Sequence, residues 1–382
     1  MVIPSAKPYI PEADIKPLLK DMEKILRSGR LLNGPYLRAF EEAFAKQAGT
    51  RYAIGVNSAT SALQTILQFF DVHGREVITP TNTFIATSNA VLYAGGSPVL
   101  ADMHPETLCL DIEDVRRRIT KKTKGVVLVH LNGLITPHIK EIKKLCKKHN
   151  LFLIEDASHA HGARAYGRMA GSWGDAAAFS CLATKPMTTG GVGGVITTND
   201  KKLAAFAHSL RFHGEDKTRG LQDRLGNNWS LTEFQAALGL SQTRRLREIV
   251  KKRMAVASAY DKAFSKLPGV KVFKVGPLLA SRSDLRGFLN SYYKYPLLLK
   301  SAKERTRMAT LLKKKGIGTG GIYWPPCHLQ PIYKKLFKFK KGDFPVAEDI
   351  LSRTIALPMY TGMKREEIGH VVQEVKKALV RQ

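Results

Sequence analysis

Between Arg51 and Asp200 the chain alternates two kinds of segment, and this alternation constrains the fold more than any other feature. RYAIGVNS reads as a strand and ATSALQTILQFF as a helix; EVITP is a strand, followed by a helix from about Thr87. GGSPVLAD leads into a strand, KGVVLVHL is another, HIKEIKKLCKKHN is a basic amphipathic helix and LFLIED a strand. DAAAFS and GGVITT add two more. Parallel neighbours need a long crossover, usually a helix, and such helices cover both faces of the sheet. The fold class is therefore α/β, with a mostly parallel central sheet in a large domain. In such sheets ligands sit beyond the carboxyl ends of the strands. That rule points to three places: the Asn57–Ser61 turn, Asp156 and Lys185.

At 382 residues the chain exceeds one ordinary core. A helical pattern, LTEFQAALGLSQTRRLREIVKKRMAVASAYDKAFSK, runs to about Leu267 and leaves the first domain. The remainder, with SYYKYPLLL as a strand and two amphipathic helices, reads as a smaller α+β domain. The expected division is 1–245 for the large domain and 246–382 for the connecting helix and small C-terminal domain. The opening segment is free to pack on either.

The formal charge is +29 and unevenly spread. Residues 1–200 carry 24 Lys+Arg against 18 Asp+Glu, and residues 201–382 carry 37 against 14. A basic surface attracts polyanions, whether nucleic acid, anionic lipid or phosphorylated small molecules. Here the basic runs are dispersed, not one stripe, so general lysine enrichment is the plainer reading and nucleic acid is not the expected partner. Four scattered cysteines without a CxxC pair argue against a disulfide framework or zinc site and fit a reducing compartment. No apolar run approaches the roughly 18–20 residues of a membrane span, and MVIPSAKPYIPEADIKPLL has no apolar leader core. The expectation is a cytoplasmic protein that does not enter membranes.

Three motifs carry chemistry. In GVNSATSAL a strand gives way to a helix, whose free N–H groups and neighbouring hydroxyls make an anion site. Simple N-capping by Ser58 or Thr60 explains the same residues. There is no GxxxxGK[ST] and no GxGxxG after the first strand, which disfavours nucleoside triphosphates and dinucleotides. In LFLIEDASHAHGA a carboxylate, Asp156, ends a buried strand, which is costly unless a cation or donors meet it. Helix capping by Asp156 is the alternative. His159 and His161 lack further ligands, so no metal is expected. In FSCLATKPMTTGGVGG, Lys185 lies beyond the next strand and should emerge on the same sheet edge as Asp156. A lysine kept from bulk water has a lowered pKa and can form a Schiff base. Pyridoxal 5'-phosphate needs a lysine for its aldehyde, a carboxylate for its pyridinium nitrogen and a helix N-terminus for its phosphate. The chain offers all three, and Phe84 in TPTNTFIATSNAV can cover a ring.

In this order the motifs resemble the DegT/DnrJ/EryC1/StrS family, the sugar aminotransferases of the fold-type-I pyridoxal-phosphate superfamily. The resemblance runs from LRSGRLLNGPYLRAFEEAFA through GVNSATSALQTIL, IEDASHAHGA, FSCLATKPMTTGGVGG and GNNWSLTEFQAALGL to YWPPCHLQPIY and IALPMYTGM. It implies that Lys185 anchors the cofactor and then moves protons, and that Asp156 pairs with the pyridinium. It further implies that His159 approaches the phenolic oxygen, that Phe84 stacks on the ring, and that Ala59, Thr60 and Ser180 bind the phosphate. Asn228 would reach the phosphate from the partner of an obligate homodimer. Arg211, His213, Lys217 and His328 are the candidates for holding substrate. The implied reaction moves an amino group, with L-glutamate the expected donor, to a keto group of a nucleotide-diphosphate-linked deoxy sugar. A cyclitol or other non-nucleotide ketone is the alternative acceptor, and a non-catalytic regulatory or nucleic-acid-binding role the alternative function. The chain departs from the family at Ala59, where Gly is common, at Val192, where an acid is usual, and at Asn227 and Ser230, where Tyr and Arg are usual. Members that dehydrate sugars without transamination carry His in place of the lysine.

Overall fold

The computed structural model describes residues 1–216, 218–273 and 287–380; Lys217, one of the substrate candidates, lies outside them. Helices α1 (Glu12–Ser28) and α2 (Pro35–Ala48) precede the alternating region. There follow β1 (Tyr52–Val56), α3 (Ala59–Phe69), β2 (Glu76–Pro80), α4 (Ala86–Tyr93), β3 (Ser97–Ala101) and α5 (Ile112–Arg118). Next come β4 (Thr123–Val129), α6 (Ile139–Lys148), β5 (Phe152–Asp156) and a short ribbon, β6 (Arg164–Ala165) with β7 (Arg168–Met169). Strands β8 (Ala176–Ser180) and β9 (Gly194–Thr198) complete a seven-stranded sheet in the order β1-β9-β8-β5-β4-β2-β3. Neighbours in this sheet run parallel except along β9, which is antiparallel to both β1 and β8. The reason is local: β8 and β9 are joined by the Lys185 loop, which contains no helix to carry a crossover.

Alternation along the strands feeds two cores. Val126, Leu128 and Leu153 face α2, α6 and α8 (Glu233–Arg244) with Phe40, Phe44 and Leu145; Val127 and Ile154 face the other way, onto Leu63, Ile66 and Leu67 of α3. Each such side chain contributes about 1.5–3 kcal/mol on burial. Starts of helices are capped as their sequences dictate. Ser58 caps α3, Asp200 caps α7 (Lys201–Leu210), and Thr232 with Gln235 forms a capping box on α8.

A two-residue-strand hairpin, β10 (Glu215–Asp216) with β11 (Leu221–Gln222), lies between α7 and α8. The long helical pattern is two helices, not one: α8 ends at Arg244 and α9 (Leu246–Phe264) begins at Leu246. The joint is Arg245, at φ −90° and ψ −1°, whose guanidinium is pinned by Asp14 and Glu248. Beyond α9, strands β12 (Val270–Val272), β13 (Tyr295–Leu299) and β14 (Thr354–Leu357) form a small antiparallel sheet. It is packed with α10 (Ala302–Lys314) and α13 (Arg365–Val380) around Tyr260, Phe264 and Leu312. Helices α11 (Pro331–Phe337) and α12 (Pro345–Arg353) complete this half. Ile3 pairs with Ile317, so the opening segment packs on the small sheet's core. A further cluster, including Leu100, Val129, Leu298, Ile322 and Phe344, joins the two halves. Among the described residues no helix is long and apolar enough to cross a membrane.

Candidate active site

Three strand ends meet at one cavity of ≈ 320 Å³. At the end of β1 the chain turns into α3. Ser58 is extended, and its Oγ accepts from the Ser61 N–H at 3.1 Å. The N–H groups of Ala59 and Thr60, first and second in the helix, are left without intrahelical acceptors. Gly194 of β9 backs this turn so closely that a Cβ there would lie 2.4 Å from the Ser58 carbonyl carbon. Here glycine is required by close backbone approach.

At the end of β5 two adjacent carboxylates face opposite ways, as strand pleating requires. Glu155 is fully buried away from the cavity. It accepts from the N–H groups of Gly171, Trp173 and Gly174 at 2.9, 2.6 and 2.8 Å and meets His130 at 2.7 Å. Burial alone would raise its pKa, but His130 and these N–H groups hold it below the usual value. It is a structural pin for the 171–174 turn. Asp156, in contrast, lines the cavity; one oxygen accepts from Thr87 Oγ1 at 2.7 Å and the other from the Ser158 N–H at 3.1 Å.

Lys185 sits in the loop after β8, its own N–H donating to the Leu182 carbonyl at 2.9 Å. Its Nζ lies 4.5 Å from the centroid of the Tyr293 ring. Removal from water lowers its pKa to about 8, opposed by Asp156 and assisted by Lys294.

His159 is buried and its pKa is well below the ordinary histidine value, through desolvation and then the nearby charges of Lys185 and Lys294. Its Nδ1 accepts from the Asn132 N–H at 3.3 Å, so the neutral ring carries its proton on Nε2. That proton is directed to Tyr323 Oη, 2.7 Å away, leaving the Tyr323 hydrogen for another acceptor.

Of the residues expected from sequence, Ala59, Thr60, Phe84, Asp156, His159, Ser180 and Lys185 all line this cavity, as does Val192. Phe84 is 59 % exposed and its ring lies 6.1 Å from that of Tyr323. Val192 uses its carbonyl, which accepts from Thr189 Oγ1 at 2.9 Å and Gln235 Nε2 at 2.8 Å; nothing in the structure explains its side chain.

The described substrate candidates are elsewhere. Arg211 is buried, its guanidinium taken by Glu41 and by the Gly55 carbonyl at 2.7 Å, so it fastens β1 instead of facing the cavity. His328 is fully buried between Thr81 Oγ1 at 2.7 Å and Glu348 Oε1 at 3.0 Å, and secures its loop to the large sheet. His213 and Asn228 are exposed and outside the cavity wall, on a segment where Phe212 pairs with Asn228.

Sequence reasoning missed a second wall. Tyr293, Lys294 and Tyr323 come from the small-sheet half, with Thr87 and Ser158 supporting Asp156. Buried Arg253 of α9 holds this wall, donating to the carbonyls of Tyr292, Tyr293 and Met359 at 2.9, 2.9 and 3.0 Å. One signal was present: SYYKYPLLL sets a lysine between tyrosines at the mouth of an apolar strand.

The chain has relatives among known proteins. GDP-perosamine synthase of Caulobacter vibrioides is 35% identical over 351 residues, covering 91% of each chain. The spore coat polysaccharide biosynthesis protein SpsC of Bacillus subtilis is 34% identical over 98% of this chain and 96% of that one. A solved aminotransferase of Helicobacter pylori, involved in the biosynthesis of pseudoaminic acid, superposes with a TM-score of 0.91 over the whole of both chains at 30% identity. The sequence model of the DegT/DnrJ/EryC1/StrS aminotransferase family matches residues 13–376, and with the strand-end lysine, carboxylate and helix terminus in one cavity, the chain belongs to that family.

Proposed function

We propose that this protein is a pyridoxal-phosphate-dependent aminotransferase acting on a keto group of a nucleotide-diphosphate-linked deoxy sugar, with an amino acid, L-glutamate in the first instance, as donor. The observation that carries this reading is the meeting of Lys185, Asp156 and the open Ala59 and Thr60 N–H groups in one cavity. The residues fit the cofactor on chemical grounds. Two unspent helix N–H groups beside the Ser58, Thr60 and Ser180 hydroxyls suit a phosphate, an oriented carboxylate suits a pyridinium, and a lysine with a pKa of about 8 suits an aldehyde.

In this reading Lys185 would hold the cofactor covalently, Asp156 would pair with its ring nitrogen, Ala59, Thr60 and Ser180 would take the phosphate, and Phe84 would cover the ring. His159 would approach the phenolic oxygen, its orientation fixed by Asn132 and Tyr323. When bound, the cofactor supplies an electron sink for the pair released as a C–H bond beside nitrogen breaks. Lys185 Nζ would take that proton and return it. Thr87 and Ser158 hold the Asp156 carboxylate in one orientation throughout. Asn228, exposed and outside the wall of its own cavity, would complete the phosphate site of a second copy, making the enzyme a homodimer; a monomer in sedimentation would remove that role.

The test uses purified protein with pyridoxal phosphate. It should turn yellow, borohydride should fix the cofactor on Lys185, and Lys185→Ala should lower glutamate-dependent transamination by about 10²–10⁴-fold. A colourless protein that cannot be reconstituted would sink the proposal.

A further inference from the structure

The cavity contains a second amine that none of these steps uses. Lys294 immediately precedes β13, and its Nζ donates to the Gly321 carbonyl at 2.8 Å. The nitrogen lies 5.5 Å from the Tyr323 ring centroid and 5.8 Å from that of Tyr293, the ring that Lys185 also overlies. An ammonium has three donors, and the hydrogen bond to Gly321 occupies one. Among the described residues no carboxylate lies in ion-pair range of Lys294. Half-burying such a group without a counter-charge is unfavourable, and desolvation accordingly holds its pKa below the ordinary lysine value.

The charge balance of the cavity has the same implication. Its wall carries two lysines and one carboxylate, Asp156, already held by Thr87 and Ser158. The missing negative charge is one that a ligand brings. Besides the cofactor's phosphate, which the Ala59–Thr60 turn and Ser180 would take, two anions are on offer in the proposed reaction, and their geometry separates them. In an amino acid a single carbon separates the reacting nitrogen from the carboxylate, so a cation for that carboxylate must stand beside the reacting centre. In a nucleotide sugar much of a pyranose ring separates the reacting carbon from the nearer phosphate. Lys294 and Lys185 lie against the same ring, Tyr293, and the Lys294 charge acts on Lys185, so Lys294 stands beside the centre.

We propose that Lys294 binds the α-carboxylate of the amino-acid donor, a site that rests on the aminotransferase reading above. Gly321 and the two tyrosine rings hold the ammonium in place, and the remaining N–H groups are available to the carboxylate.

The test titrates the cofactor-loaded protein with glutarate, a dicarboxylate that cannot transaminate, by calorimetry. Lys294→Met should weaken glutarate binding about ten- to a hundredfold, the equivalent of one charge-assisted hydrogen bond. Lys294→Arg, which keeps the charge, should retain most of it and shows that the site tolerates substitution. Uridine diphosphate should bind Lys294→Met as it binds the unaltered protein. In the donor half-reaction, followed by the cofactor's absorbance, the unaltered protein should prefer L-glutamate to 4-aminobutyrate, which lacks the α-carboxylate, and Lys294→Met should lose that preference. Equal glutarate affinity in the unaltered and Lys294→Met proteins overturns the proposal, as does weakened binding of uridine diphosphate alone. A protein whose glutarate binding depends on Lys294 but whose cofactor responds to no amino acid keeps the carboxylate site and removes the aminotransferase reading.

Discussion

The two walls of the cavity are built on different principles. The first, from β1, β5, β8 and the turns after them, presents backbone N–H groups, hydroxyls, one carboxylate and Lys185, all placed at strand ends by sheet geometry. The second, from residues 293–294 and 323, presents aromatic rings and one ammonium and is carried by strand-edge and loop segments. Each wall is fastened by a buried arginine, but in different ways. Arg211 behind the first is paired with a carboxylate, Glu41, whereas Arg253 behind the second donates to three carbonyls and, among the described residues, meets no carboxylate. Lacking a counter-charge, Arg253 has its pKa lowered to about 10 by desolvation. A wall of rigid donors suits a ligand that stays, and a wall of rings and one cation without a carboxylate partner suits ligands that come and go.

This contrast can be broken by mutation, and the largest effect is expected at Arg211. Arg211→Ala takes the cation from the buried Glu41 carboxylate and should cost about 3–5 kcal/mol in urea unfolding. Since Arg211 does not line the cavity, the KM for sugar in the surviving folded protein should be unchanged. Arg253→Met leaves three carbonyls short of a donor but no stranded charge, so a smaller loss of about 1–3 kcal/mol is expected. Its effect on activity should fall on the second wall, raising KM for the donor while cofactor affinity holds; the opposite pattern would merge the two walls into one unit. Tyr323→Phe removes only the partner of His159 Nε2. It should lower kcat about tenfold without altering stability by more than about 1 kcal/mol.

The first wall was legible in the sequence because contiguous motifs spell it out at strand ends. GVNSATS, IEDASH and the Lys185 loop each contain both the strand and the functional residue, and the α/β alternation places all three on one edge. The second wall was not, because Tyr293 and Tyr323 are thirty positions apart and meet only through the small sheet and the 321–328 loop. The same limit explains Arg211 and His328. Basic residues near an expected cleft look like anion binders, but Glu41 lies 170 positions from Arg211, and Thr81 lies 247 from His328. Those long-range partners turn both side chains inward. The break at Arg245 was hidden for the same reason: its partner Asp14 is in the first helix.

The most direct measurement is the rate at which cofactor-stripped protein captures pyridoxal phosphate as pH is varied. Only the neutral amine attacks an aldehyde, so capture should rise with pH through a midpoint near 8, where Lys185 loses its proton, and should be lost in Lys185→Ala. A rate still climbing with the midpoint of an ordinary lysine, above pH 10, or an unchanged rate in Lys185→Ala, would contradict the account.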